Sequence, residues 1–202
     1  MLANLVTQGN ADDPFITDDG LQMFFENSAT TLGKDQQLFV AVRASTSVEF
    51  ASGQILANVN DPAFSDSAAS VTSDALTMVF NSTRAGSSDL YIATRPSASS
   101  AFGAPVALSF NTPGFECCSS LAGDGSSMVL VSDQSGTQRI SLSLRGGADY
   151  LPPTTLDPLL AGATGDEVDP TLTRDGTTIV FSSNRAGGTG GYDIYLAERS
   201  CR

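Results

Sequence analysis

Apolar and polar positions alternate along most of the chain in short runs, the period of a half-buried strand and not of a helix. Leu38-Phe39-Val40-Ala41-Val42-Arg43, Leu90-Tyr91-Ile92-Ala93-Thr94-Arg95, Ile140-Ser141-Leu142-Ser143-Leu144-Arg145 and Ile194-Tyr195-Leu196-Ala197-Glu198-Arg199 are one segment written four times, each closed by arginine. β-Branched and aromatic residues enrich these runs, which predicts strands. No stretch carries the spacing of a long amphipathic helix.

A second marker precedes each of these segments. Residues 13–25 align without a gap on 169–181, and 69–80 and 119–130 are two further copies. Their marker aspartates Asp19, Asp74, Asp124 and Asp175 are separated by 55, 50 and 51 residues. Asp-Gly between two strand-like runs favours a tight turn at positive φ, and Ala75 in the second copy makes that turn less comfortable. Each unit reads strand, turn, strand, loop, strand ending in arginine, then a weaker fourth strand, as at 102–108 and 156–160. Four-stranded units of this length are blades of a β-propeller. The expected fold is all-β: one propeller domain over 1–202, with four-stranded antiparallel blades at approximately 11–60, 61–112, 113–162 and 163–202. The last unit is short of a fourth strand, and residues 2–8, with Leu5 and Val6, are expected to supply it and close the ring, which removes an exposed sheet edge. A piece of a longer propeller would read the same way.

The last unit carries Asp169, Pro170, Thr173, Asp175, Gly176, Phe181, Ser182, Arg185, Gly187, Gly188, Tyr192, Asp193, Ile194 and Tyr195 in order. This pattern resembles the TolB-like, Pro-Asp type of WD-like propeller repeat. The first and second units match it well. The third departs, with Ser119 for proline, Leu130 for phenylalanine and no counterpart of the loop arginines Arg84 and Arg185. The resemblance implies a periplasmic or secreted protein that binds protein or glycan partners through one face of the ring.

Composition narrows the chemistry. Acidic residues outnumber basic ones 22 to 10, for a net charge of −12, so nucleic acid and anionic membrane surfaces are repelled. Apolar runs of about five residues are far too short for a membrane-spanning helix. Histidine is absent, which removes Ser-His-Asp and Cys-His catalysis and His-ligated zinc. The first residues lack a basic, then apolar, secretory leader. Cys117, Cys118 and Cys201 read as free structural thiols or as one bridge to Cys201, because adjacent cysteines bond to each other only with strain.

The turn aspartates Asp19, Asp74, Asp124 and Asp175 are explained by bonds to backbone amides of their own turns, and the closing arginines by solvation at strand ends or ion pairs to neighbouring blades. Catalytic residues and an obligatory cofactor are not expected. The start of each innermost strand carries a carboxylate near the channel: Asp13, Asp66, Glu116 and Asp169. Converging carboxylates raise one another's pKa or recruit a cation, and oxygen-only ligands suit Ca²⁺. The alternative is a set of solvated acidic loops. A carboxylate-dependent glycosidase is the rival function, with Asp166, Glu167 and Asp169 nearest to an acidic motif, but there is no tryptophan to stack a sugar.

Overall fold

The computed structural model describes residues 10–28, 36–133, 136–156 and 164–199. Among them there is no helix, and the strands form four antiparallel sheets. The first blade holds β1 (Ala11–Ile16), β2 (Gln22–Asn27), β3 (Gln37–Val42) and β4 (Gln54–Ile55); the second holds β5 (Asp66–Val71), β6 (Thr77–Ser82), β7 (Asp89–Thr94) and β8 (Val106–Ala107). In the third, β9 (Glu116–Leu121), β10 (Ser127–Ser132) and β11 (Arg139–Gly146) are followed by two short pieces, β12 (Asp149–Tyr150) and β13 (Thr154–Thr155), which both pair with β11. The fourth comprises β14 (Glu167–Leu172), β15 (Thr178–Ser183) and β16 (Asp193–Glu198). The expected closing strand at 2–8, Cys201 and the outer segment 157–160 lie outside the described residues.

The core lies between blades, as alternation demands: one face of each sheet covers the next. Phe24 and Leu38 of the first blade pack with Met78, Phe80 and Tyr91 of the second. Val79, Leu90 and Ile92 meet Leu121, Met128 and Leu130, and Val129 and Ile140 meet Leu172 and Phe181. Asn60 and Asn111 blunt the outer sheet edges. Each side chain bonds both the amide and the carbonyl of one strand residue, Leu38 at 2.8 and 2.8 Å, and Leu90 at 3.1 and 2.8 Å.

The interface-forming position of the third strand holds Leu38, Leu90, Ile140 and Ile194. Its exposure is 1%, 0%, 0% and 72% respectively. Leu196, two residues on, is 61% exposed. The fourth blade therefore presents to solvent the face that its three predecessors bury.

The marker turns are held as their residue types require. Asp19, Asp74, Asp124 and Asp175 accept the amides of Leu21, Leu76, Ser126 and Thr177 at 2.9–3.1 Å. Hydroxyl donors Thr17 and Thr173 lead the causes that hold Asp19 and Asp175 below the usual carboxylate range, and Ser126 does so for Asp124. Ala75 adopts φ +59°, the left-handed conformation that glycine fills in the other three turns. Its methyl is buried in the first interblade core, which offsets that backbone cost. Of the closing arginines, Arg43 and Arg95 donate to the turn carbonyls of Gly20 (2.6 Å) and Ala75 (2.7 Å), and Arg145 to Gly147 (2.8 Å). Each lies over an aromatic ring, Phe50, Phe102 and Tyr150, at 4.3, 4.3 and 4.9 Å. Arg43 and Arg95 staple the third strand to its marker turn, Arg145 staples it to the hairpin that follows, and each covers an aromatic residue further along.

Candidate functional site

The innermost strands β1, β5, β9 and β14 share one irregularity. Each has a register shift against its neighbour, and the residue at the shift has positive φ: Asp13 (46°), Ala68 (48°), Cys118 (56°) and Asp169 (50°). A bulge of this kind bends the strand and re-aims its side chains. Non-glycine residues pay for left-handed backbone, so four repeats of it mark a feature that the ring's geometry over-determines. Bonds from neighbouring blades hold the bulges: Glu26 accepts the Ala68 amide at 3.1 Å, and Asn81 accepts the Cys118 amide at 3.2 Å.

Two positions before the bulge stand Asp66, Glu116 and Glu167, each wholly buried. Asp66 pairs with Arg84 at 2.6 Å and accepts the Asp61 amide at 2.7 Å. Glu167 pairs with Arg185 at 3.0 Å. Glu116 accepts the amide and hydroxyl of Thr112 at 3.0 and 2.6 Å. Arg84 and Arg185 lie over Tyr91 and Tyr195 at 4.9 and 4.5 Å, so the loop arginine, the buried carboxylate and the strand tyrosine form one unit.

The four carboxylates expected at the channel mouth are thus divided. Asp66 and Glu116 are buried beside donors of their own blades, whereas Asp13 and Asp169 stand at the bulge position and line one cavity of about 330 Å³ with Phe15, Ser70, Cys118 and Ser119. The structure brings Asp13 and Asp169 together and leaves the other two apart. Partial desolvation of this surface-exposed carboxylate first, then the charges of Asp169 and Asp12, raise the Asp13 pKa. Among the described residues no three metal-ligating side chains cluster.

Cys117 and Cys118 form a disulfide with each other, which overturns the expectation of free thiols or a bridge to Cys201. A regular strand sends consecutive side chains to opposite faces. The bulge at Cys118 removes that alternation and lets neighbours meet.

At its other end the channel is closed by the marker turns. The Ser73 amide donates to the Gly123 carbonyl and the Gly123 amide to that of Arg174, both at 2.7 Å. A Cβ on Gly123 would lie 2.9 Å from the Arg174 carbonyl oxygen, so this close approach requires glycine. Arg174 reaches across: Nη1 donates to the Val71 carbonyl (3.0 Å), Nη2 to the Ser73 hydroxyl (3.0 Å), and Nε lies 2.9 Å from Asp18 Oδ1 as an ion pair without hydrogen-bond alignment. The fourth blade is tied to the first and second here. A second cavity, about 730 Å³, opens between the first two blades, lined by Val40, Ile55, Leu56, Phe102, Gln22 and Arg95. Arg95 crosses it to Gln22 at 2.7 Å.

Glu26 is the titrating member of this array. It is buried, and that desolvation, joined by the charges of Asp13 and Asp12, pushes its pKa to about 7 against the bond from Ala68. A carboxyl that binds its proton more tightly when folded stabilises the fold fully below its unfolded pKa, and loses that contribution as pH rises through the folded value. Between pH 4.5 and 7 this removes about 3 kcal/mol. Chemical denaturation at pH 5 and 8 should show the fall, and Glu26→Gln, which keeps an acceptor for Ala68, should flatten it. An equal fall in the variant would assign it to other groups.

Four antiparallel blades, of three to five strands each among the described residues, with their innermost strands around a channel define a β-propeller. Its fold is that of the TolB propellers. The structure of TolB from Acinetobacter baumannii superposes with a TM-score of 0.68 at 16% identity, over 96% of this chain and 42% of that one. A putative TolB from Agrobacterium tumefaciens gives 0.69 at 12% identity, over 96% and 64%. A puromycin-hydrolyzing peptidase of Mycobacterium tuberculosis gives 0.60 at 16% identity, over 96% and 28%. The chain thus spans less than two thirds of the length of these proteins, and the likeness is one of fold. No family model matches the sequence, and no curated protein matches it.

Proposed function

We propose that the chain is a non-catalytic binding module that engages a protein or glycan partner through the ring face on which the channel mouth opens. The observation that carries this reading is the state of the acidic side chains. A propeller glycosidase needs one carboxyl as acid and another as base or nucleophile, both facing the substrate. Asp66, Glu116 and Glu167 are instead buried beside Arg84, Thr112 and Arg185. Of the other two candidates, Asp166 accepts the Gln138 amide at 3.1 Å, and Asp169 lines the channel-mouth cavity with Asp13, the one pair of acidic side chains that the reading leaves to the test. A screen of aryl-glycosides and polysaccharides is expected to give no turnover. Turnover abolished by Asp169→Asn or Glu167→Gln would overturn the reading. A periplasmic or secreted setting goes with it: disulfides persist in oxidising compartments, and Cys117–Cys118 is one.

The uncovered fourth blade favours a second reading, in which these four blades are part of a larger ring. Ile194 and Leu196 then meet a further blade, as Leu38, Leu90 and Ile140 do within this chain. The greater length of the TolB structures is in keeping with this reading.

A further inference from the structure

We propose that the cavity between the first two blades binds a small organic acid, with its carboxylate on Arg95 and its apolar body along Val40, Ile55 and Leu56. Asp19, Leu21 and Gln22 contribute to the lining, so the site lies at the marker-turn end of the ring and shares no residue with the channel mouth.

The cavity follows from side-chain size at equivalent positions. Val40 of β3 corresponds to Ile92 of β7, and Val59, before the edge residue Asn60, corresponds to Phe110, before Asn111. In the second interblade core the larger pair fills the space, and Ile92, Leu108 and Phe110 are all buried. In the first, Val40 and Leu56, the counterpart of Leu108, stay half-buried beside an opening of about 730 Å³. That volume is within the range of small-molecule sites. Side chains lining a gap forfeit dispersion contacts, which a bound apolar group restores.

Arg95 supplies the polar end. It lines the cavity, and its 2.7 Å bond to Gln22 Oε1 crosses it. Nε donates to the Ala75 carbonyl at 2.7 Å and Nη1 to the Ser100 carbonyl at 3.3 Å. Three of the five guanidinium donors are thus taken, and one on each terminal nitrogen has no acceptor among the described residues. Two oxygens of one carboxylate match those two donors in number. Arg84, Arg174 and Arg185 each meet a carboxylate, whereas Arg95 meets none among the described residues. Desolvation lowers its pKa, and a cation so placed gains more from an anion than one in open water does.

Two neighbours narrow the ligand further. Asp19 lines the same cavity, with Oδ1 held by the Thr17 hydroxyl and the Leu21 amide, and its charge disfavours a second negative charge on the ligand. The strand edge beside the cavity is occupied, Leu38 by Asn60 and Leu56, and Phe39 and Val40 by β4. No backbone ladder is open there to an added peptide strand, which favours a free monocarboxylic acid over a polypeptide end.

The test is isothermal titration of the full chain with 3-phenylpropionate, the neutral 3-phenylpropanol, the dianion benzylmalonate, and acetylated trialanylphenylalanine with its carboxyl end free. The propionate is expected to bind at least about tenfold more tightly than the alcohol, since charge-assisted bonds set the difference. It should also bind more tightly than benzylmalonate and the peptide. Val40→Ile with Val59→Phe copies the second interface and should abolish binding while cooperative melting is kept and Arg95 is untouched. Arg95→Gln should weaken binding by about tenfold or more. Asp19→Asn, which keeps an acceptor for Leu21, should tighten it by about two- to threefold, an effect that loss of folding cannot produce. Equal affinity for 3-phenylpropanol, tighter binding of the peptide or of benzylmalonate, or binding unchanged in the filled-cavity variant would overturn the proposal. Any of these would leave the ring-face reading standing, because that partner sits at the other end of the channel.

Discussion

Arg84→Ala is expected to cost about 3–5 kcal/mol of stability, because it leaves the Asp66 carboxylate buried without its cation. Asp66 has no exposed surface, and Arg84 meets it at 2.6 Å. The same guanidinium donates to the Val59 carbonyl at 2.9 Å and the Ser82 hydroxyl at 2.8 Å, so truncation takes a donor from three acceptors and leaves the Asp66 charge with the Asp61 amide alone. At about 2–4 °C per kcal/mol for a chain of this length, melting falls by roughly 6–20 °C. Two comparisons isolate the cause. Arg145→Ala removes a guanidinium that bonds the exposed Gly147 carbonyl, and should cost under about 1 kcal/mol. Adding Asp66→Leu to Arg84→Ala removes both charges and should recover part of the loss, since a buried pair replaced by apolar residues is often close to neutral. A single-variant cost no greater than that of Arg145→Ala would show that Asp66 finds water or another donor.

The repeat was legible in the sequence because a blade cannot bury its own faces, so every blade carries the same alternation and turn. Asp19, Asp124 and Asp175 were readable for a similar reason: a tight turn limits the residues that fit. The channel mouth was harder. Spacing from the strand starts groups Asp13 with Asp66, Glu116 and Asp169, whereas the backbone equates Asp13 with Ala68, Cys118 and Asp169, and Asp66 with Glu116 and Glu167. An offset of two residues across a bulge decides between facing the channel and facing an arginine, and alternation carries no mark of the bulge. The Cys117–Cys118 bond was hidden by the same irregularity. The aromatic partners of the closing arginines did leave a signal, since Phe50 follows Arg43 and Phe102 follows Arg95 by seven residues each. The loop arginine missing from the third blade was also visible, and Thr112 now accounts for how Glu116 is held without it.

Alanine at one repeated position should report the state of the ring directly. Leu38, Leu90 and Ile140 are at most 1% exposed and lie in the three interblade cores, so Leu38→Ala, Leu90→Ala and Ile140→Ala should each cost about 2–5 kcal/mol. Ile194 holds the same place in the fourth blade at 72% exposure, and Ile194→Ala should change stability by no more than about 0.5 kcal/mol. Denaturant unfolding measures all four, provided the slope with denaturant is unchanged among them, because a shifted slope signals altered cooperativity instead of altered packing. The contrast arises from context alone, as the side chains are alike and the strands share one register against their middle strands. A cost for Ile194→Ala equal to the others would mean that its face is covered in solution. Dilution then tells by what: a cost that vanishes at low protein concentration assigns the cover to a second molecule, and one that persists assigns it to the chain itself.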